Sequence, residues 1–127
     1  MGICQDRVVI ITGAGGGLGA AHAKVFASEG AKVIVNDINQ DAAQKVVDEI
    51  TAAGGTAIVN TSDITNYDDS LNAVKQAIDT FGDLHVVLNN AGINRDRMFA
   101  SMTEADWDAI MAVHLKGHFC ITSHAVH

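Results

Sequence analysis

Two hydrophobic rhythms alternate along the chain. Short runs rich in Val, Ile and Leu occur at Arg7–Thr12, Ala31–Asp37 ("AKVIVND"), Thr56–Asn60 ("TAIVN") and Leu84–Asn90 ("LHVVLNN"), the composition of β-strands. Between them the apolar positions recur at helical spacing. Leu18, His22, Val25 and Phe26 share one predicted face, Ala43, Val46, Val47 and Ile50 a second, and Leu71, Val74, Ile78 and Phe81 a third. A fourth helix is predicted after Thr103, with Thr103 and Asp106 as its capping pair and Trp107, Ile110, Met111 and Leu115 as its buried face. Gly30, Gly54–Gly55 and Gly82 stand where three of these helices should stop, and the chain contains no proline.

Strands that are apolar at every position, rather than at alternate ones, are covered on both faces. With right-handed crossovers, the order β-α-β-α-β-α-β-α folds as an open parallel sheet with helices on both sides. The predicted class is therefore α/β, a Rossmann-type doubly wound sheet represented by its first four strands and helices, in a single domain over residues 1–127. Composition agrees: 48% of the 127 residues are hydrophobic and 18% charged, enough apolar material for one core.

Charge and special residues narrow the partners. A net charge of −7 with only eight Lys and Arg argues against a nucleic acid and against an anionic membrane surface. No apolar run is long enough for a signal-peptide core or a membrane span, so a cytoplasmic setting is expected, or a peroxisomal one in a eukaryote. Cys4 and Cys120 lie at opposite ends of the chain and are expected to be free thiols. His114 and His118 are four apart, but no acidic or cysteine ligand joins them, so no metal site is expected.

The candidate chemistry begins where the first strand ends. In "TGAGGGLG", Thr12–Gly19, five glycines fall within seven residues between a strand and a helix. Gly13 permits the tight turn there. Gly17 leaves no side chain between the backbone and a pyrophosphate, and Gly19 lets the helix press close. The helix start then offers unpaired N–H groups and a partial positive charge to phosphates. A plain strand–helix turn would also use glycine. The position favours the nucleotide reading, because Asp37 ends the second strand about 20 residues on. A P-loop would need Gly-Lys-Ser/Thr where this chain has Gly19-Ala20-Ala21. A methyltransferase usually has an acidic residue where this chain has Thr12. A carboxylate at position 37 accepts hydrogen bonds from a ribose diol and repels a 2′-phosphate. No Lys or Arg stands in the loop or just after Asp37, so NAD is the expected cofactor rather than NADP.

A second motif, Asn89-Asn90-Ala91-Gly92, follows the fourth strand at the same sheet edge. Alone it could be a polar turn. With Thr12–Gly19, Asp37 and Asp63, it resembles the short-chain dehydrogenase/reductase family over essentially the whole chain. The resemblance implies cofactor contacts from Thr12, Gly13, Gly16, Gly17, Leu18, Gly19, Asp37, Asp63, Ile64, Asn90, Ala91, Gly92 and Val113. Asp63 would hydrogen-bond the adenine amino group, Ile64 would pack on the base, and Asn90, Ala91 and Gly92 would shape the pocket around the nicotinamide ribose. The stretch Asn94–Phe119 looks like the (3R)-3-hydroxyacyl-CoA dehydrogenase units of multifunctional enzymes. Most of the family has Asn where this chain has His114. His114 either takes over the Asn role in a proton relay through a ring nitrogen, or is a buried, satisfied histidine.

The resemblance also implies a catalytic Ser and a Tyr-x-x-x-Lys pair. The one tyrosine, Tyr67, is followed four residues later by Leu71, so the pair is absent from these 127 residues. The chain reads as the cofactor half of an NAD-dependent dehydrogenase acting on a secondary alcohol or ketone. The substrate would be an acyl thioester, with 3-oxoacyl-carrier-protein reduction and steroid oxidation as alternatives, and the longer form a homo-dimer or homo-tetramer. The rival from another class is a non-catalytic nucleotide-binding or interaction protein.

Overall fold

The computed structural model describes residues 2–127. Four parallel strands are present: β1 (Val8–Ile11), β2 (Lys32–Asn36), β3 (Thr56–Asn60) and β4 (Val86–Leu88), arranged in the order β3-β2-β1-β4. The helices are α1 (Gly17–Ser28), α2 (Gln40–Ala52), α3 (Tyr67–Phe81), α4 (Glu104–Met111) and α5 (Gly117–Ala125), with a 3₁₀ turn at Phe99–Ser101. The expected α/β sheet is thus realised with its four strands in place.

Successive side chains of a strand point to opposite faces, and here both faces are buried. Val9, Ile11, Val33 and Val35 pack with α1 and α2 through Ala23, Ala27, Ala43, Val46 and Ile50. Val8, Ile10 and Ile34 pack on the other side with Ala73, Val74 and Ala77 of α3 and Ile121 of α5. At roughly 25 cal/mol per Å² of apolar surface removed from water, each fully buried Val or Ile side chain contributes about 1.5–3 kcal/mol.

Helix α2 buries the face that its pattern predicts. Three other faces are corrected. In α1 the buried residues are Gly19, Ala20, Ala23 and Ala27, while Leu18 and Val25 remain 73% and 62% exposed. The helix approaches the sheet most closely on its smallest side chains, so its bulkier apolar residues turn outward. In α3 the buried stripe is Ser70, Ala73, Val74 and Ala77 rather than Leu71, Val74, Ile78 and Phe81, for the same reason. In α4 no residue is buried, and Trp107 is 55% exposed. The sheet ends at β4, leaving α4 without a further strand to cover. Leu115, assigned to the same face, is also exposed, because it falls in a π-helical turn, Ala112–Lys116, that joins α4 to α5. Each residue in a π-turn is out of phase with the 3.6 period on which the expectation rested.

Candidate nucleotide site

The sheet order reverses between β1 and β4. To one side of β1 the chain runs outward through β2 and β3; to the other lies β4, reached from β3 through α3. Such a switch point leaves a crevice beyond the carboxyl ends of the strands, where open α/β sheets bind ligands. A cleft of about 630 Å³ lies there, lined from all four strand ends: Gly13 and Gly16 after β1, Asn36 to Ile38 at β2, Ser62 to Thr65 after β3, and Asn90 to Ile93 after β4, with Val113 from the π-turn.

The two motifs meet at Thr12. This residue is fully buried, and its Oγ1 accepts the N–H groups of Asn90 (3.1 Å) and Ala91 (3.0 Å) while donating to the Leu88 carbonyl (3.5 Å). Asn90 returns the contact, its Nδ2 donating to the carbonyls of Thr12 (3.0 Å) and Gly13 (3.3 Å). Residues 78 apart in sequence are thereby sewn into one loop pair. Space is tight around them. A Cβ on Gly13, which has φ +62°, would stand 2.8 Å from the Ala91 Cα, and one on Gly19 would stand 2.5 Å from Asn90 Nδ2. Any side chain at either position would push the loops apart.

Helix α1 begins beside the cleft with Gly16 as N-cap. No side chain caps it and no acidic residue stands in its first turn. By contrast, Asn39, Asn66 and Thr103 cap α2, α3 and α4, each with an acidic residue in the first turn. The N–H groups at the start of α1 are therefore left to solvent or to an anion. A Cβ on Gly16 or Gly17 would meet nothing within 4 Å, so the space in front of this helix end is clear of protein.

Two carboxylates flank the crevice. Asp37 accepts the N–H of Gly15 on Oδ2 and that of Asn39 on Oδ1, both at 2.9 Å, which ties it to the glycine loop. Asp63 Oδ1 accepts from the Thr65 N–H (2.9 Å) and hydroxyl (2.7 Å), and the Asp63 N–H donates to Asp69 Oδ2 (2.7 Å). Ile64 is buried behind Asp63 and faces both the cleft and α5, where a Cβ on Gly117 would stand 2.9 Å from its Cδ1. No Lys or Arg lines the cleft.

Of the residues expected at the site, Gly13, Gly16, Asp37, Asp63, Ile64, Asn90, Ala91, Gly92 and Val113 line the cleft. Thr12 and Gly19 lie behind it as framework, Gly17 opens α1, and Leu18 points to solvent. His114 is exposed rather than buried; its Nε2 lies 2.8 Å from the Ile93 carbonyl oxygen and 3.0 Å from the Ile93 nitrogen. The expectation missed Asn36, Ile38, Ser62, Thr65 and Ile93, which also line the cleft. Only the Ser-Asp-x-Thr pattern around Asp63, which favours side chain–backbone turns, carried a sequence signal for any of them.

The comparisons with known proteins agree with this geometry. A family model described as short chain dehydrogenase matches residues 7–127. The chain is 50% identical over 127 residues to peroxisomal multifunctional enzyme type 2 of Mus musculus, covering 93% of this chain and 17% of that protein. It is 44% identical over 126 residues to hydroxyacyl-CoA dehydrogenase ChsB1 of Mycobacterium tuberculosis, covering 95% of this chain and 39% of that protein. A crystal structure of a short chain dehydrogenase from Mycobacterium avium superimposes with TM-score 0.95 at 53% identity, covering 98% of this chain and 46% of that one. The chain thus spans less than half the length of each of these relatives. With a sheet that reverses at β1, a glycine turn locked to an Asn-Asn-Ala-Gly loop through Thr12, and a family model matched from Arg7 to His127, the chain belongs to the short chain dehydrogenase family.

Proposed function

We propose that the chain forms the dinucleotide-binding part of an NAD-dependent dehydrogenase that interconverts a secondary alcohol and a ketone. The cofactor fits what the residues offer: an uncapped helix start, loop glycines whose places a Cβ would fill, and carboxylates at two strand ends. The bound dinucleotide would supply the hydride acceptor. The chain's own residues hold and orient it. The first turn of α1 meets the pyrophosphate, Asp37 accepts from the adenosine ribose diol, and Asp63 accepts from the adenine amino group beside Ile64. Asn90, Ala91 and Gly92 border the nicotinamide ribose, next to Val113. His114 pins Ile93 through Nε2 and stands where the family's relay asparagine would be.

The single observation that carries the choice of NAD is Asp37, fastened to Gly15 in a cleft without a cation. A 2′-phosphate there would face a carboxylate with no compensating charge. Dissociation constants for NAD and NADP test this. NAD should bind more tightly, and Asp37→Ala should weaken NAD by about tenfold, the loss expected for hydrogen bonds to a charged acceptor, and narrow the gap. Equal or tighter NADP binding would contradict the reading.

The substrate class follows from the relatives: a hydroxyacyl thioester is the reading favoured by a relative named as a hydroxyacyl-CoA dehydrogenase.

A further inference from the structure

β2 and β3 end on a paired rung, Asn36 opposite Asn60. Neighbouring residues on a paired rung share a face, so two amides lie side by side where an apolar pair would suit a buried sheet better. Both are buried, at 2% and 6% exposure. Their bonds form one connected chain. Asn36 Nδ2 donates to Asn60 Oδ1 (2.7 Å) and to the Ser62 carbonyl (3.0 Å). Asn60 Oδ1 also accepts the Ser62 N–H (3.0 Å). Asn60 Nδ2 donates to Gln76 Oε1 of α3 (2.7 Å), and Gln76 Nε2 donates to the Val59 carbonyl (2.9 Å).

Ser62 is thus gripped at both its N–H and its C=O, and Asp63 is the next residue. Asp37 follows Asn36 directly, and its own N–H donates to the Asn60 carbonyl (3.0 Å). Both carboxylates of the cleft therefore hang from one buried amide cluster. A connected network in a low-dielectric interior favours a single geometry, because displacing Asn36 or Asn60 breaks bonds to buried polar groups. We infer that Asn36, Asn60 and Gln76 are positioning residues that set the spacing of Asp37 and Asp63, and with it the selectivity of the cleft for adenine over a base without an amino group. This rests on the reading of the cleft as a dinucleotide site with Asp63 at the adenine.

The test compares binding of NAD and deamino-NAD, which carries hypoxanthine in place of adenine and so presents a carbonyl oxygen to Asp63. The unaltered protein should prefer NAD by about tenfold or more, the worth of a charge-assisted hydrogen bond. In Asn36→Ala and Gln76→Met the preference should fall to within about threefold, while far-ultraviolet circular dichroism and the unfolding midpoint confirm a folded protein. A loosened fold alone would weaken both ligands together and leave the ratio unchanged. Gln76→Met, at the half-buried outer end of the cluster, decides the matter if Asn36→Ala does not fold. Folded variants that keep the original ratio would overturn the inference. Asp63→Ala separates the two levels: it should abolish the preference, and if the preference survives that change, the adenine assignment has failed and the inference falls with it.

Discussion

At the residue scale the site depends on a few side chains that bond to backbone rather than to ligand. Thr12 is the clearest, since one hydroxyl accepts from two buried N–H groups and donates to a carbonyl. Thr12→Val keeps the shape and strands both donors, so a loss of about 2 kcal/mol or more is expected. Thr12→Ser should recover most of it. Urea unfolding measures both, with an unchanged slope showing that stability rather than denatured-state compactness has altered. The glycine loop and the Asn-Asn-Ala-Gly motif were legible in the chain because their residue types are unusual. Their junction through the Thr12 hydroxyl was not, nor was the role of Asn36 or Ser62, because a buried amide and a surface amide are the same letters in a sequence.

At the element scale, the start of α1 is the part of the site most open to a direct test. Gly17 has φ +53°, so a branched residue there would strain the backbone whether or not a ligand binds. Gly16 is the cleaner position: its backbone is extended, with φ −168°, it lines the cleft, and nothing lies within 4 Å of an added Cβ. Gly16→Val should leave the fold intact, at a cost below about 2 kcal/mol for the poorer N-cap, and should abolish dinucleotide binding. Normal NAD titration of the folded variant would remove the phosphates from this loop.

Helix α4 makes a different prediction. Its capping box is complete, with Asp106 at N3 and Thr103 as N-cap. Hydrogen bonds from the Thr103 hydroxyl and backbone N–H, with smaller help from Arg97 and Arg95, hold the Asp106 carboxyl below the usual carboxylate range. A lowered folded-state pKa contributes stability that is present above the unfolded value and lost as pH falls through the folded one. Protection of the first-turn amides of α4, measured against their intrinsic exchange rates at each pH, should therefore fall on acidification, and Asp106→Asn should remove that dependence. A pH-independent first turn in the unaltered protein would contradict it. The capping pair was readable from Thr103-x-x-Asp106 because caps are local. The buried faces of α1, α3 and α4 were not, because burial depends on what lies beneath a helix.

At the scale of the whole molecule, the two edges of the sheet differ. β3 is guarded by Gln76, whose amide occupies the Val59 carbonyl on its outer side. β4 is the terminal strand on the other side, three residues long and only half-buried. Unpaired strand edges recruit other strands. The 127-residue chain studied alone should therefore associate as its concentration rises, which light scattering would register. A strict monomer at the highest concentration reached would show that this edge is already closed.

The amino-acid sequence by itself determined the class of fold, the number of strands and their order along the chain, the glycine stops of three helices and the capping pair of α4, and the presence of a phosphate-compatible glycine turn with an acid at the end of the second strand. These depend on local periodicity, on backbone freedom at glycine and on short-range side chain–backbone bonds. Only the tertiary structure decided which helix faces are buried, how the π-turn brings His114 to Ile93, and how Asn36, Asn60 and Gln76 join two carboxylates into one frame. Those features arise from contacts between residues far apart in the chain, whose geometry is set by close packing and by the requirement that each buried polar group find a partner.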